Sequence, residues 1–169
     1  MKKDDEKVSI EKEVFDEIYK CLEDQGGLNK FDNILVEDRP KEVVFDTVMR
    51  QVGTWYHCDL LINKSFFEGL SKDEINEVIK MSKATVCENI SDCITHEISH
   101  AKQSENALAS VVKKYNDTDG VKGISANASK DMLESLSEAE VLRKKGLYGT
   151  IPEESRNKLE VAAKELKLW

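Results

Sequence analysis

The chain of 169 residues is poor in aromatic side chains, which make up only 7% of it, so a core must lean on Leu, Ile, Val and Ala. Positive charge is also short: 25 Lys and Arg stand against 33 Asp and Glu, a formal net charge of −8. A field of that sign repels phosphate backbones and excludes the electrostatic footprint of nucleic-acid binding. The four cysteines, Cys21, Cys58, Cys87 and Cys93, include no CxxC pair, and the step from Cys87 to Cys93 is not a zinc-ribbon spacing. An apolar N-terminal leader is missing, and no run approaches the length of a membrane span. Free thiols, a cytoplasmic location and no membrane partner are therefore expected. Internal repeats and low-complexity tracts are absent too.

What remains is enough for one core without disulfides. The expected organisation is a helical and strand segment over 1–50, packed on the same domain as a metal-binding core over 51–169. Periodicity at steps of three and four predicts a helix from Val8 to Leu22, stopped by Gln25-Gly26-Gly27. Ile34-Leu35-Val36 reads as a short strand, and Pro40 as the first turn of a short helix that buries Val43, Val44, Phe45, Val48 and Met49. Thr54 to Ile62 is the strongest strand. Ser71 with Glu74 forms a capping box for a helix reaching Met81, and a second helix should run from near Thr85 past His100. Asp117 to Gly123 reads as a loop. A helix from Ser129 to Lys145 ends at Gly146. The last helix opens at Ile151-Pro152-Glu153-Glu154, with Leu159, Val161, Ala162 and Leu166 inside. The balance is mostly α with a small sheet.

Two of the three histidines stand in one motif, His96-Glu97-Ile98-Ser99-His100. On a helix, residues four apart share a face, so both imidazoles can address one cation. Taking Ile90 as zero and turning about 100° per residue, Ile94, Ile98 and Ala101 fall between about 20° and 80°. His96 and His100 fall near 240° and 280°, with Glu97 on the flank at about 340°. The core face and the histidine face are thus distinct. Two histidines leave room for a third ligand and a water, the open arrangement of a catalytic zinc, with Glu97 placed as general base. The same pattern also suits an exposed helix face with two solvated histidines. Candidates for the third ligand lie on the later helix at Glu134, Glu138 and Glu140. Glu134 and Glu138 share a face, so one could ligate while the other orients a histidine. Glu140 reads as a surface charge.

Other residues carry weaker signals. His57, inside the best strand, reads as packed or edge-exposed rather than as part of a cleft. Cys93, one turn before His96, reads as a small buried residue before a thiolate ligand. Trp55 and Trp169 read as packing.

Three segments together resemble the zincin domain of bacteriophage and prophage minor head (head morphogenesis) proteins and, more distantly, the catalytic domain of anthrax lethal factor. They are Leu61-Ile62-Asn63-Lys64-Ser65-Phe66-Phe67 as a strand before the site, Ile94 to Ala101 around the motif, and Ile124 to Ser129 leading into Glu134-Ser135-Leu136-Ser137-Glu138-Ala139. The resemblance spans about Leu60 to Lys158. In that group a run of the type Glu-x-x-Ala-Glu-Ala supplies the third zinc ligand from its first glutamate, and the matching position here is Glu134. His96 and His100 match the other ligands and Glu97 the general base. Ser99 stands where relatives usually carry glycine. Asn127 stands where they often carry a tyrosine suited to stabilising an oxyanion, and an amide donates a weaker bond there.

The resemblance implies an α+β, zincin-like fold, mostly helical, with a small sheet beside the HExxH helix. It implies a Zn2+-dependent metallopeptidase acting on a peptide or protein substrate, with Thr54 to Ile62 as an edge for strand addition. Phage virion proteins are the further partners it suggests, with a virion-associated or delivered location as the alternative to the cytoplasm. The rival reading is a phage- or prophage-derived structural or delivered protein (a minor capsid component, for example) whose zinc only ties helices together.

Overall fold

The computed structural model describes residues 10–40, 43–52, 55–82, 86–117 and 130–169. It is α+β: helices α1 (Lys12–Asp24), α2 (Lys64–Phe67), α3 (Lys72–Met81), α4 (Ile90–Asp117), α5 (Lys130–Lys144) and α6 (Glu153–Glu165), with strands β1 (Asn33–Glu37), β2 (Phe45–Val52) and β3 (Trp55–Asn63). The chain divides into two compact units, one ending at Ile98 and the other running Ser99–Trp169, so the division falls inside α4. Among the described residues no helix is long and apolar enough to cross a membrane. The loop expected after Asp117, together with Asn127 and Thr85, lies outside the described residues.

In the first unit the sheet has the order β1-β3-β2, with β1 parallel and β2 antiparallel to β3. Leu60, Leu61 and Ile62 on β3 are all fully buried. Successive strand residues point to opposite faces, so this run shows that both faces of the central strand are covered. Phe31, Phe45 and Phe67 are buried with it, together with Val14, Phe15, Ile18 and Leu22 of α1 and Ile75 and Ile79 of α3. Asp59 is buried as well, and its charge is met by the side-chain amide of Asn33 at 2.9 Å. Asn63 closes the strand. Its Nδ2 donates to the carbonyls of Pro40 and Val43, and its Oδ1 accepts from the Arg39 and Ser65 amides, the latter as the cap of α2.

Two expectations are corrected here. The segment after Pro40 is not a short helix: Phe45–Val52 is strand β2, paired from Phe45↔Ile62 to Val52↔Trp55. Val43, Val44, Phe45, Val48 and Met49 satisfy steps of three and four as well as alternation. Residues four apart share a face in a strand as in a helix, so local spacing does not decide; pairing with β3 does, and along it Phe45 is buried and Met49 exposed. Consequently β3 is no edge. It is hydrogen-bonded on both sides, and the sheet's edges are β1 and β2. The strand also stops earlier than the stretch Leu61 to Phe67 suggested, because the Asn63 cap starts α2 at Lys64.

The capping box on α3 is present, with Ser71 Oγ accepting from the Glu74 amide at 3.3 Å and Glu74 Oε1 accepting from the Ser71 amide at 3.2 Å. The end of α1 holds the start of α4. Gly26 takes φ +67°, which a side chain would strain, and stops the helix. Gln25 then grips α4, its Nε2 donating to Ser91 O at 3.0 Å and its Oε1 accepting from the Thr95 hydroxyl at 2.7 Å. A Cβ on Gly27 would stand 2.5 Å from Ile98 Cδ1 and 2.8 Å from Cγ1. Gly27→Ala should therefore push Ile98, the residue after Glu97, and cost about 1–3 kcal/mol as an overpacked core site. Urea unfolding would measure it, and an unchanged midpoint would show that Ile98 simply rotates away.

In the second unit Leu136, Ala139, Leu159, Ala163 and Leu166 form the core, with Met132, Leu133, Tyr148 and Ile151 packed against it. Val161, expected on the inner side of the last helix, is 62% exposed, whereas Ala163 is fully buried. Steps of four and three from Leu159 lead to Ala163 and Leu166, and Val161 lies about 200° around the helix from Leu159. Gly146, at φ +73°, ends α5 as expected. Trp169 packs edge-on against Tyr148 and under the Arg143 guanidinium, and its indole donates to Glu140 at 3.2 Å.

Candidate metal centre

The helix carrying the motif begins at Ile90 because Asn89 caps it. Asn89 Oδ1 accepts from the Asp92 amide and Asp92 Oδ2 from the Glu88 amide, each at 2.9 Å. Ile90, Ile94, Ile98 and Ala101 are buried, as their angles around the helix require. His96 and His100 are half-buried, and Glu97 is only 7% exposed. The donor atoms of His96, Glu97 and His100 all lie within 4.8 Å of one another. A buried carboxylate needs a partner, and Thr47 on β2 provides one: its hydroxyl donates to Glu97 Oε1 at 3.0 Å. Sequence reasoning missed Thr47 because it assigned that segment to a helix.

Glu134 stands outside this trio but meets one member of it. Its Oε1 lies 2.9 Å from His100 Nε2. Two ligands on one zinc, at about 2.0–2.1 Å and a tetrahedral angle, would sit roughly 3.3 Å apart. The observed 2.9 Å is shorter than that and matches a hydrogen bond or ion pair between the ring and the carboxylate, two groups that are also of ligand type. The other ring nitrogen, Nδ1, is 3.0 Å from Gln103 Oε1 and 3.3 Å from Ser137 Oγ. Gln103 and Ser137 are both buried, and Gln103 Nε2 donates to Leu133 O at 3.0 Å and Ser137 Oγ at 3.1 Å. On this side Gln103 and Ser137 hold the His100 ring, two residues that the sequence reading did not single out. The signal that could have found Gln103 is its position three after His100, on the same side of the helix.

The weaker candidates fall elsewhere. All four cysteines are free thiols. Hydrogen bonding with Cys87, followed by burial, pushes the Cys93 thiol up, and Cys93 is not among the side chains grouped with His96 and His100. Burial and then the Glu17 carboxylate push Cys21 up to about 11. Replacing Cys93 with Ala should leave any metal uptake unchanged by elemental analysis and cost only about 1 kcal/mol in stability. His57 is partly exposed, with Nδ1 3.9 Å from Asp32 Oδ2. Tyr148 donates its hydroxyl to Glu160 at 3.2 Å, and burial raises its pKa.

A concavity of about 430 Å³ opens beside Glu134, floored by Met132, Ala139, Leu142 and Leu159, with Glu138 and Lys158 also lining it. Comparison of the chain with protein-family models, curated proteins and solved structures finds no match in any of the three. The centre has to be read from its own chemistry.

Proposed function

We propose that the protein is a zinc-dependent peptidase of zincin type, with His96, His100 and Glu134 as zinc ligands and Glu97 as general base. The observation that carries the reading is the trio on one helix, whose donor atoms share a sphere small enough for a single cation. Zinc bound there supplies a Lewis acid that polarises a carbonyl and brings the pKa of water toward neutrality. The chain's own residues do the rest. His96 and His100 offer imidazole nitrogens from one helix face, and Glu134 offers an anionic oxygen. Thr47 holds one oxygen of Glu97 and so orients the carboxylate that would take the proton of the attacking water. As the water oxygen bonds to the carbonyl carbon and the C–N bond breaks, that proton passes to the leaving amine.

The substrate would be an extended peptide. With β3 enclosed, the strand edge near Glu97 is β2, which carries Thr47, and a peptide added there would run past the base. The rival reading, a zinc that only fastens helices, draws support from the His100–Glu134 and Gln103–Leu133 contacts, which tie α4 to α5. Hydrolysis of a quenched-fluorescent peptide library by the zinc-loaded protein, compared with its Glu97→Gln variant, separates the two. Cleavage that is equal in both, or absent from the native chain, removes the peptidase.

A further inference from the structure

Gln103 deserves a role beyond packing because its amide has two chemically different ends, and the structure fixes which end goes where. Its Nε2 faces the carbonyl oxygen of Leu133 at 3.0 Å. A carbonyl oxygen only accepts, so the nitrogen must be on that side. Turning the amide over would set two oxygens against each other in a buried place. The second Nε2 hydrogen goes to Ser137 Oγ at 3.1 Å. Oε1 is then left facing His100 Nδ1 at 3.0 Å. An amide oxygen also only accepts, so the imidazole must carry its proton on Nδ1. In the neutral ring this leaves the lone pair on His100 Nε2, which lies 2.9 Å from Glu134 Oε1. A carboxylate oxygen only accepts, so the contact is satisfied either by a second ring proton, which makes an imidazolium–carboxylate pair, or by a metal ion between the two atoms.

We propose that Gln103 is a positioning residue that locks His100 in the Nδ1–H tautomer and thereby presents Nε2 to the metal. Ser137, fully buried on α5, steadies the amide from its far side. The inference rests on the zinc reading for its purpose, but the tautomer belongs to the chain whether or not metal is bound. Hydrogen-bonded partners behind a ligand histidine commonly change metal affinity 10–100-fold, and the lock predicts a loss of that size when its acceptor is removed.

The test is two-bond ¹H–¹⁵N NMR of the histidine rings in zinc-free protein, at a pH above imidazole titration, followed by competitive zinc titration. The expected result is a protonated Nδ1 and a bare Nε2 for His100. Gln103→Leu should abolish that preference and weaken zinc binding about 10–100-fold. An Nε2–H ring in the native chain overturns the proposal. So does a folded Gln103→Leu variant with unchanged tautomer and affinity. If that variant does not fold, the native spectrum decides alone. A native chain that shows the Nδ1–H ring yet takes up no zinc overturns the metal reading and leaves the lock standing, so the two failures are distinguishable.

Discussion

Glu97→Gln should lower the rate of peptide hydrolysis by about 10²–10⁴-fold, the usual worth of a positioned general base, while zinc content and melting temperature stay as in the native protein. The separation follows from what the substitution keeps. The amide is nearly isosteric with the carboxylate, and its oxygen still accepts from the Thr47 hydroxyl, so the buried pocket between β2 and α4 remains satisfied. What disappears is a group able to take a proton. Glu97 is not one of the three assigned zinc ligands, so the ion should remain. A variant that keeps its zinc and loses turnover therefore isolates base catalysis. A variant that loses zinc as well would make Glu97 a ligand and move the base elsewhere.

The helix faces of α4 were legible because one element carries the whole pattern. Ile90, Ile94, Ile98 and Ala101 are buried where their angles demand, and the histidines lie off that face. The capping box at Ser71 and Glu74 was equally local, and it is present. Errors arose where one apolar run satisfied two periods. Val43 to Met49 fits a helical stripe and a pleated strand alike, and the choice was made by pairing with β3, a contact no local window contains. That single error concealed both Thr47 beside Glu97 and the enclosure of β3. The enclosure had left a trace: Leu60, Leu61 and Ile62 are consecutive apolar residues, which a strand with one wet face does not need. The choice between Glu134 and Glu138 was likewise invisible. Both share a helix face, and only the approach of His100 to Glu134 favours one of them. Gln103 went unnoticed because a glutamine beside an HExxH motif has no chemistry until Leu133 and Ser137 fix which end of its amide faces the ring.

Zinc added in 1,000-fold excess over its dissociation constant should stabilise the folded chain by about 4 kcal/mol through binding alone. In a protein of this size that corresponds to a rise of roughly 8–16 °C in melting temperature. His96→Ala should remove most of the rise. It is a better probe than His100→Ala, because His100 also contacts Gln103, Ser137 and Glu134, and its loss would disturb packing independently of any metal. The third ligand follows from the same titration: Glu134→Gln should reduce the zinc-dependent rise, whereas Glu138→Gln should preserve it. Were Glu138→Gln the damaging change, the carboxylate 2.9 Å from His100 would be only its hydrogen-bond partner. Calcium or magnesium should not reproduce the effect, since two imidazoles suit a borderline-soft cation and those ions prefer all-oxygen shells. A native chain that melts at the same temperature with and without zinc would mean that His96 and His100 share a helix face without sharing an ion, and both the peptidase and the structural-zinc readings would fall together.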